Sequence, residues 1–162
     1  MRNVSPIAAG FLVLLILCVT SSNAQPRVSP KEAEALCKTV KDINELPRDW
    51  GEKGVDKAYD AIVDAGEKVV PCLIDQITDL TVIKDTRCPT ISTATTIGGV
   101  SYFILVDLLK IEFTQLLPED VVTDFKTTGV YAYHNYVDRS GSRKELQARL
   151  RELWNSKKEK QN

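Results

Sequence analysis

Apolar residues recur every three or four positions in several short stretches of this chain, and glycine or proline bounds most of these stretches. This spacing places the apolar side chains along one face of an α-helix, so it predicts short amphipathic helices. The first helix begins at the capping box SPKE (residues 29–32), which has proline at the first helical position. Its predicted core face comprises Ala33, Leu36, Val40 and Ile43.

Two further helices are expected close together, at about residues 55–65 and from Val70 onward. Gly66 ends the first of them, and Pro71 lies in the first turn of the second. Because the connection between them is so short, we expect the two helices to fold back on each other as an antiparallel hairpin. The following residues, 78–94, are rich in Thr, Asp, Pro and Cys and are expected to form a long loop.

The segment VSYFILVDLLKI (residues 100–111) is apolar nearly all round, which suits a central buried helix. Its aromatic and β-branched residues also suit a strand, but its length favours the helix. Further helices are expected after Pro118, between Gly129 and residue 137 (where an edge strand is the alternative), and from a second capping box at residues 142–145. The sequence therefore predicts an all-α domain, a compact bundle of about six to seven short helices.

The first 24 residues have the parts of a secretory signal peptide. Arg2 precedes an apolar run of 13 residues, and small residues at positions 22 and 24 follow it. The run is shorter than the roughly 20 apolar residues that span a bilayer. We therefore expect cleavage after Ala24 and a periplasmic or secreted mature protein with no membrane span. A lipoprotein anchor at Cys18 is the alternative, although Leu17 before it is larger than such a site prefers.

Cleavage there divides the chain into a leader (1–24), a single helical domain (25–156) and a flexible tail (157–162). The mature chain has 20 basic and 22 acidic residues, a balance that disfavours nucleic-acid binding. The near-neutrality is a cancellation, since residues 25–138 carry a net charge of −7 and residues 139–162 carry +5. The basic last helix could attract an anionic polymer, lipid or acidic protein, or it could neutralise its own neighbours.

Three cysteines remain after cleavage, and an oxidising compartment favours one disulfide and one free thiol among them. Cys72 falls on the side of its helix opposite the apolar stripe, and Cys88 lies 16 residues later in the predicted loop. A Cys72–Cys88 bridge would tie this loop to the helix and is the preferred pairing. Cys37 is expected as a buried thiol, but its pairing with one of the other two is the alternative, because sequence does not determine connectivity.

The segment AYDAIVDAGEKVVPCLIDQITD (residues 58–79) resembles a HEAT-type repeat, with an alanine-rich first helix, a glycine turn and a proline-initiated second helix. Residues 95–109 look like a degenerate second unit. The resemblance implies helical hairpins that build a binding surface, and it is a packing pattern rather than an active-site motif. With at most two units, it implies a compact HEAT-like bundle rather than an extended solenoid. The residues that carry it are Ala58, Ile62, Gly66, Val70, Pro71, Leu73 and Ile74.

His134 is the single histidine of the chain and lies among Tyr131, Tyr133 and Tyr136. It could act as a general base in an aromatic groove. Without an identified partner, the preferred interpretation is a half-exposed residue on a helix whose tyrosines pack with Trp154. No spacing of His, Cys or acidic residues matches a metal site, so no metal or cofactor is expected.

Charged residues supply the remaining candidates for a binding surface. Asp56, Asp60 and Asp64 recur every four positions along one helix face, where they could meet a basic partner or a cation, or could simply be solvated. Asp107 lies in the apolar segment, so it needs a salt bridge or a cleft, and the salt bridge is preferred over catalysis. The last helix contributes Arg143, Arg149 and Arg151.

These observations favour an exported, non-enzymatic protein-binding module. An inhibitor or immunity-type protein that neutralises a secreted partner is its most specific form. Two alternatives are open: an envelope hydrolase that uses His134 with a carboxylate such as Asp107, and a structural envelope protein with no tight partner.

Overall fold

A computed structural model describes residues 28–47, 52–83 and 96–160 and has an all-α fold, which confirms the predicted class. The predicted leader, Cys88 and most of the predicted loop lie outside the described residues. Within the described ranges the one β-type pairing is a single bridge between Val82 and Thr96. The helices are α1 (Pro30–Cys37), a 3-10 helix (Lys38–Asp42), α2 (Lys57–Asp64), a second 3-10 helix (Gly66–Val69), α3 (Val70–Gln76), α4 (Ile97–Leu109), α5 (Glu119–Thr128), α6 (Val130–Val137) and α7 (Ser142–Glu159).

Of the two predicted capping boxes, the first forms and the second does not. At the start of α1, the Ser29 hydroxyl accepts a hydrogen bond from the Glu32 amide at 3.3 Å, and the Ser29 amide donates to the Glu32 carboxylate at 2.7 Å. The second box does not form, because Ser142 is already the first residue of α7 and its hydroxyl donates backward to the Arg139 carbonyl at 2.6 Å. Gly141, with a φ of 85°, occupies the N-cap position instead.

Helix α4 is the central helix of the fold, as its apolar sequence predicts. Its N-cap residue Thr96 accepts a hydrogen bond from the Gly99 amide at 3.1 Å, and 11 of its 13 residues are buried. Helix α3 packs along α4, and Gly98 lies at their closest approach. A Cβ atom on Gly98 would lie only 2.2 Å from the Ile77 carbonyl oxygen, so the contact between the two helices requires glycine there.

The helices pack in pairs, but the predicted pair of α2 and α3 is not among those in close contact. Helix α2 packs mainly against α1 and the two 3-10 helices, whereas α3 packs against α4, α7 and α1. Helices α5 and α6 form a close pair around Gly129. The HEAT-type hairpin of α2 and α3 therefore stays a prediction.

Helix α7 continues to Glu159, beyond residue 156, which is the predicted end of the domain. Its apolar face buries Leu146, Leu150 and Trp154. The Lys157 ammonium donates to the Leu109 carbonyl, so this end of α7 contacts the end of α4. Among the described residues, no helix has the length and apolar character needed to cross a bilayer.

The disulfide joins Cys72 to Cys37, not to Cys88. The preferred pairing is therefore wrong, and the alternative that includes Cys37 is confirmed. The physical reason is the position of α1. The side of α3 opposite its apolar stripe faces α1, where the Cys72 sulfur lies 4.0 Å from the Ala33 carbonyl oxygen. Cys37 is buried as expected, but it is bonded rather than a free thiol.

Candidate functional site

The acidic stripe of α2 begins with Asp56, which is the N-cap of that helix. One of its carboxylate oxygens accepts hydrogen bonds from the Ala58 and Tyr59 amides at 2.8 and 3.1 Å, and the other accepts from the Asn44 amide at 3.0 Å. Partial burial acts to raise the pKa of Asp56, but these backbone donors outweigh it and hold the pKa below its usual value. Asp56 thus links Asn44, which follows the first 3-10 helix, to the first turn of α2.

The other two acids of the stripe also bind the chain that precedes α2. The Asp60 carboxylate accepts a hydrogen bond from the Gly54 amide at 2.9 Å, and Asp64 forms an ion pair with Lys53. These two carboxylates thus contact residues 53 and 54, and the Asp64 side chain is still 55% exposed.

Of the aromatic residues around His134, one is at the surface. Tyr131 is 55% exposed, whereas the Tyr133 ring is buried and stacks on Tyr102 with ring centroids 4.9 Å apart. Burial raises the pKa of Tyr133. The Tyr136 hydroxyl donates to the Ser142 carbonyl at 3.2 Å. The predicted aromatic groove is therefore an interior cluster from which Tyr131 alone projects.

His134 is 6% exposed, so the expectation of a half-exposed residue is wrong. Helix α6 packs against both α5 and α7, which buries this side of the helix. The Nδ1 atom has no hydrogen-bond partner in the described part of the chain. Burial lowers the pKa of His134; the Arg143 charge lowers it further, and Asp138 acts in the opposite direction. The surroundings of the imidazole thus favour its neutral form.

The free energy of unfolding should fall as pH drops from about 7 to about 5, because the unfolded chain binds a proton at His134 more readily than the folded chain. The pKa of His134 in the folded state lies below its ordinary value of 6.5. The contribution of the neutral side chain to the free energy of unfolding is therefore complete above the ordinary pKa. It is lost as pH falls through the folded pKa. Urea denaturation across this range measures the slope. A His134→Gln variant should show a smaller slope, and an unchanged slope would contradict the assignment.

Of the three arginines predicted on the basic surface of α7, Arg143 is buried, Arg149 is partly buried and Arg151 is exposed. The Arg143 guanidinium is buried, and its Nε and Nη1 atoms donate to the Val137 and Ile77 carbonyls at 3.2 and 3.3 Å. Arg149 donates to the Leu116 carbonyl at 2.8 Å. These acceptors include carbonyls at the ends of α3 and α6 that no further helical turn satisfies. The contacts favour the interpretation in which the basic helix neutralises its own neighbours.

Replacing Arg143 with methionine should destabilise the fold by about 2 kcal/mol, since the alkyl volume is kept while two carbonyls lose a charged donor. The matched control is Arg151→Met. Arg151 pairs with Asp75 at 2.7 Å on an exposed face, and its loss should cost less than about 1 kcal/mol. Chemical denaturation measures both variants. Equal losses would mean that Arg143 does not serve as an internal cap.

A cleft of about 580 Å³ lies between the α2–α3 connection and the end of α4. Asp107 lines it and also lines an adjoining cavity of about 270 Å³. Asp107 is 8% exposed, and its Oδ1 atom accepts a hydrogen bond from the Lys110 ammonium at 2.9 Å. The predicted salt bridge is therefore present, and the carboxylate also faces a cleft. The cleft is lined by Val63, Ala65, Gly66, Glu67, Lys68, Asp107, Leu108 and Lys110.

A second buried polar group belongs to the same region. The Tyr59 hydroxyl is buried and has no hydrogen-bond partner among the described residues. Burial, followed by the charges of Asp107 and Asp60, raises the pKa of Tyr59 to about 12, so the hydroxyl stays protonated. His134 does not line either cavity beside Asp107. These cavities therefore do not bring the proposed hydrolase pair together.

The fold places the chain in the all-α class. Comparisons with protein-family models, with curated proteins and with solved structures find no match. Over residues 28–47, 52–83 and 96–160, no group of three or more His, Cys, Asp or Glu side chains is placed to hold a metal ion.

The sequence predicted only part of the lining of the cleft. Asp107 is a carboxylate within an apolar segment, and that signal identified it correctly as a residue in need of a partner or a cleft. Glu67, Lys68 and Lys110 gave no comparable signal, because exposed charged residues are common on helix ends. Their relation to Asp107 depends on the packing of α2 and its following 3-10 helix near α4.

Proposed function

We propose that this chain is an exported, non-enzymatic protein-binding module, with an inhibitor or immunity-type protein that neutralises a secreted partner as its most specific form. The observation that carries the proposal is the Asp107 cleft. Its lining is charged and aliphatic and contains no histidine, cysteine or hydroxyl side chain. Such a lining suits recognition of a charged side chain, whereas acyl transfer by a side-chain nucleophile would require a hydroxyl, thiol or imidazole there.

Two further observations support the proposal. A disulfide between Cys37 and Cys72 is compatible with an extracellular or periplasmic compartment, as the signal-like leader also is. Several candidate charged residues of α2 and α7, Asp60 and Arg143 among them, bond to the backbone of neighbouring segments and so help to fix the fold that carries the cleft. A rigid scaffold loses little conformational entropy when it binds, so it favours affinity for a protein partner.

The proposal is tested by producing the tagged chain with its own leader in its native cells and purifying it under oxidising conditions. We expect one protein to co-purify in a fixed ratio and to bind again when both are purified separately. An inhibitor would also reduce the activity of that protein, which a structural scaffold would not. Recovery of the chain alone, even after chemical cross-linking in the cells, would contradict the proposal. A second exported protein with the same tag serves as the control.

A further inference from the structure

We propose that His134 and Arg143 form a pH-dependent switch, in which protonation of His134 releases the buried Arg143 side chain from the ends of α3 and α6. The inference goes beyond the proposed function and does not depend on it. It concerns the contact of the start of α7 with the ends of two other helices, not the unfolding of the whole chain.

Arg143 is a buried cation whose hydrogen-bond partners in the described chain are carbonyl oxygens. These belong to Val137, the last residue of α6, and to Ile77, the C-cap of α3. No ion pair links Arg143 to a carboxylate within the described ranges. Gly98 leaves the space for this arrangement, since a Cβ atom there would lie 2.9 Å from the Arg143 Nη1 atom. The dipoles at two helix ends therefore balance the charge, which makes it sensitive to a second cation nearby.

His134 can supply that second positive charge. It lies one helical turn before Val137, on the same face of α6 as the residue whose carbonyl binds the guanidinium of Arg143. The imidazole is 6% exposed, and its Nδ1 atom has no hydrogen-bond partner in the described part of the chain. In the protonated form both ring nitrogens carry hydrogen, so the Nδ1–H group would be buried there without an acceptor.

The charges that act on the imidazole come from the turn after α6 and from α7. Asp138 favours protonation and Arg143 opposes it, but Asp138 is exposed and is therefore screened by water. Tyr133 beside the ring, and Tyr102 of α4 stacked on Tyr133, are neutral because burial raises the pKa of both hydroxyls. Helix α5, which also packs against α6, has its charged residues at exposed positions: Glu119, Asp120, Asp124 and Lys126. No buried carboxylate is thus among the charges that act on a protonated His134.

Two buried cations repel each other more strongly than two exposed ones, because water screens them less. Arg143 is the one that leaves, since its long side chain can turn its guanidinium into water while the short side chain of His134 cannot. Its departure frees the two carbonyls and separates the start of α7 from α3. The rest of α7 stays attached, because Gln147 still donates to the Ile74 carbonyl at 2.8 Å and Trp154 is buried.

The switch is tested by an NMR titration of the oxidised protein from about pH 7.5 to about pH 5, the range in which histidine titrates. The experiment follows the His134 ring, the Arg143 Nε–H group and the Trp154 indole N–H group. The Arg143 signal should move to the position of a solvent-exposed arginine with the same midpoint as the His134 ring. The Trp154 signal should keep its native position. In a His134→Gln protein, the Arg143 signal should stay at its bound position throughout.

An Arg143→Met protein tests the same coupling in the reverse direction. Without the guanidinium, the titration midpoint of His134 should shift upward, toward the ordinary value of 6.5. Arg151→Met is the matched control. It removes an exposed charge that pairs with Asp75, and it should leave the midpoint of His134 unchanged.

Several results would overturn the switch. They are a His134 ring that stays neutral over the whole range, an Arg143 signal that does not follow the ring, and release of Arg143 in the His134→Gln protein. A Trp154 signal that moves with the same midpoint would mean global unfolding, and equal His134 midpoints in the wild type and Arg143→Met would exclude the coupling. If either variant fails to fold, the wild type and the other variant still decide.

Discussion

Replacing Gly98 with alanine is expected to destabilise the protein by about 3 kcal/mol, which lowers its melting temperature by about 10 °C. The added Cβ would lie 2.2 Å from the Ile77 carbonyl oxygen and 2.9 Å from the Arg143 Nη1 atom. Helix α4 would have to move away from the end of α3, which would also disturb the hydrogen bond from Arg143 to Ile77. Thermal and urea denaturation measure the loss.

The sign of the stability change in Gly98→Ala distinguishes an effect of helix propensity from an effect of packing between helices. Alanine is the better helix former by about 1 kcal/mol, so a helix without the close contact would become more stable. Ser101→Ala is the control in the same buried helix. It removes a hydroxyl bonded to Gln76 at 3.0 Å and should cost about 1 kcal/mol. A Gly98→Ala protein as stable as the wild type would contradict the packing of α3 on α4.

Removing the Cys37–Cys72 disulfide is expected to cost about 4 kcal/mol. The bond closes a loop with a sequence separation of 35 and restricts the unfolded chain accordingly. It also fixes α1 to α3, whose contact includes a hydrogen bond from the Gln76 side chain to the Cys37 carbonyl at 3.1 Å. Urea denaturation of a Cys37→Ala/Cys72→Ala protein measures the effect, and reduced wild-type protein should unfold at a similar urea concentration.

Cys88→Ala is the matched control for this prediction. If Cys72 is bonded to Cys37, the Cys88 variant should keep the stability of the oxidised wild type. Peptide mapping under non-reducing conditions should recover Cys37 and Cys72 in one linked pair. A linked Cys72–Cys88 pair, or an equal loss of stability in Cys88→Ala, would restore the pairing that the sequence favours and contradict the observed one.

The features that sequence predicted well depend on residues a few positions apart. The capping box at Ser29, the proline in the first turn of α3 and the glycine that ends α5 all act within one helical turn, so their residue types determine the local structure. The buried character of α4 follows from composition alone, since a helix that is apolar on every side must be surrounded by protein.

The features that sequence missed depend on distant contacts. Arg143 bonds to a carbonyl 66 positions earlier, and Cys72 bonds to a cysteine in another helix. Neither partner is marked by a local pattern, because a backbone carbonyl at a helix end has the same chemistry at every position. His134 was expected to be half-exposed for the same reason, since its burial depends on how α5 and α7 pack against α6.

The central claim is that the Asp107 cleft binds a protein partner. Position-specific photocross-linking in the native cells tests this claim most directly. A photoreactive amino acid at Lys68, on the wall of the cleft, should trap one protein. The same amino acid at Lys126, an exposed position on α5, should trap little. The Asp107→Asn change should abolish the product formed from position 68. No product, or equal products from positions 68 and 126 that persist with Asp107→Asn, would contradict the account.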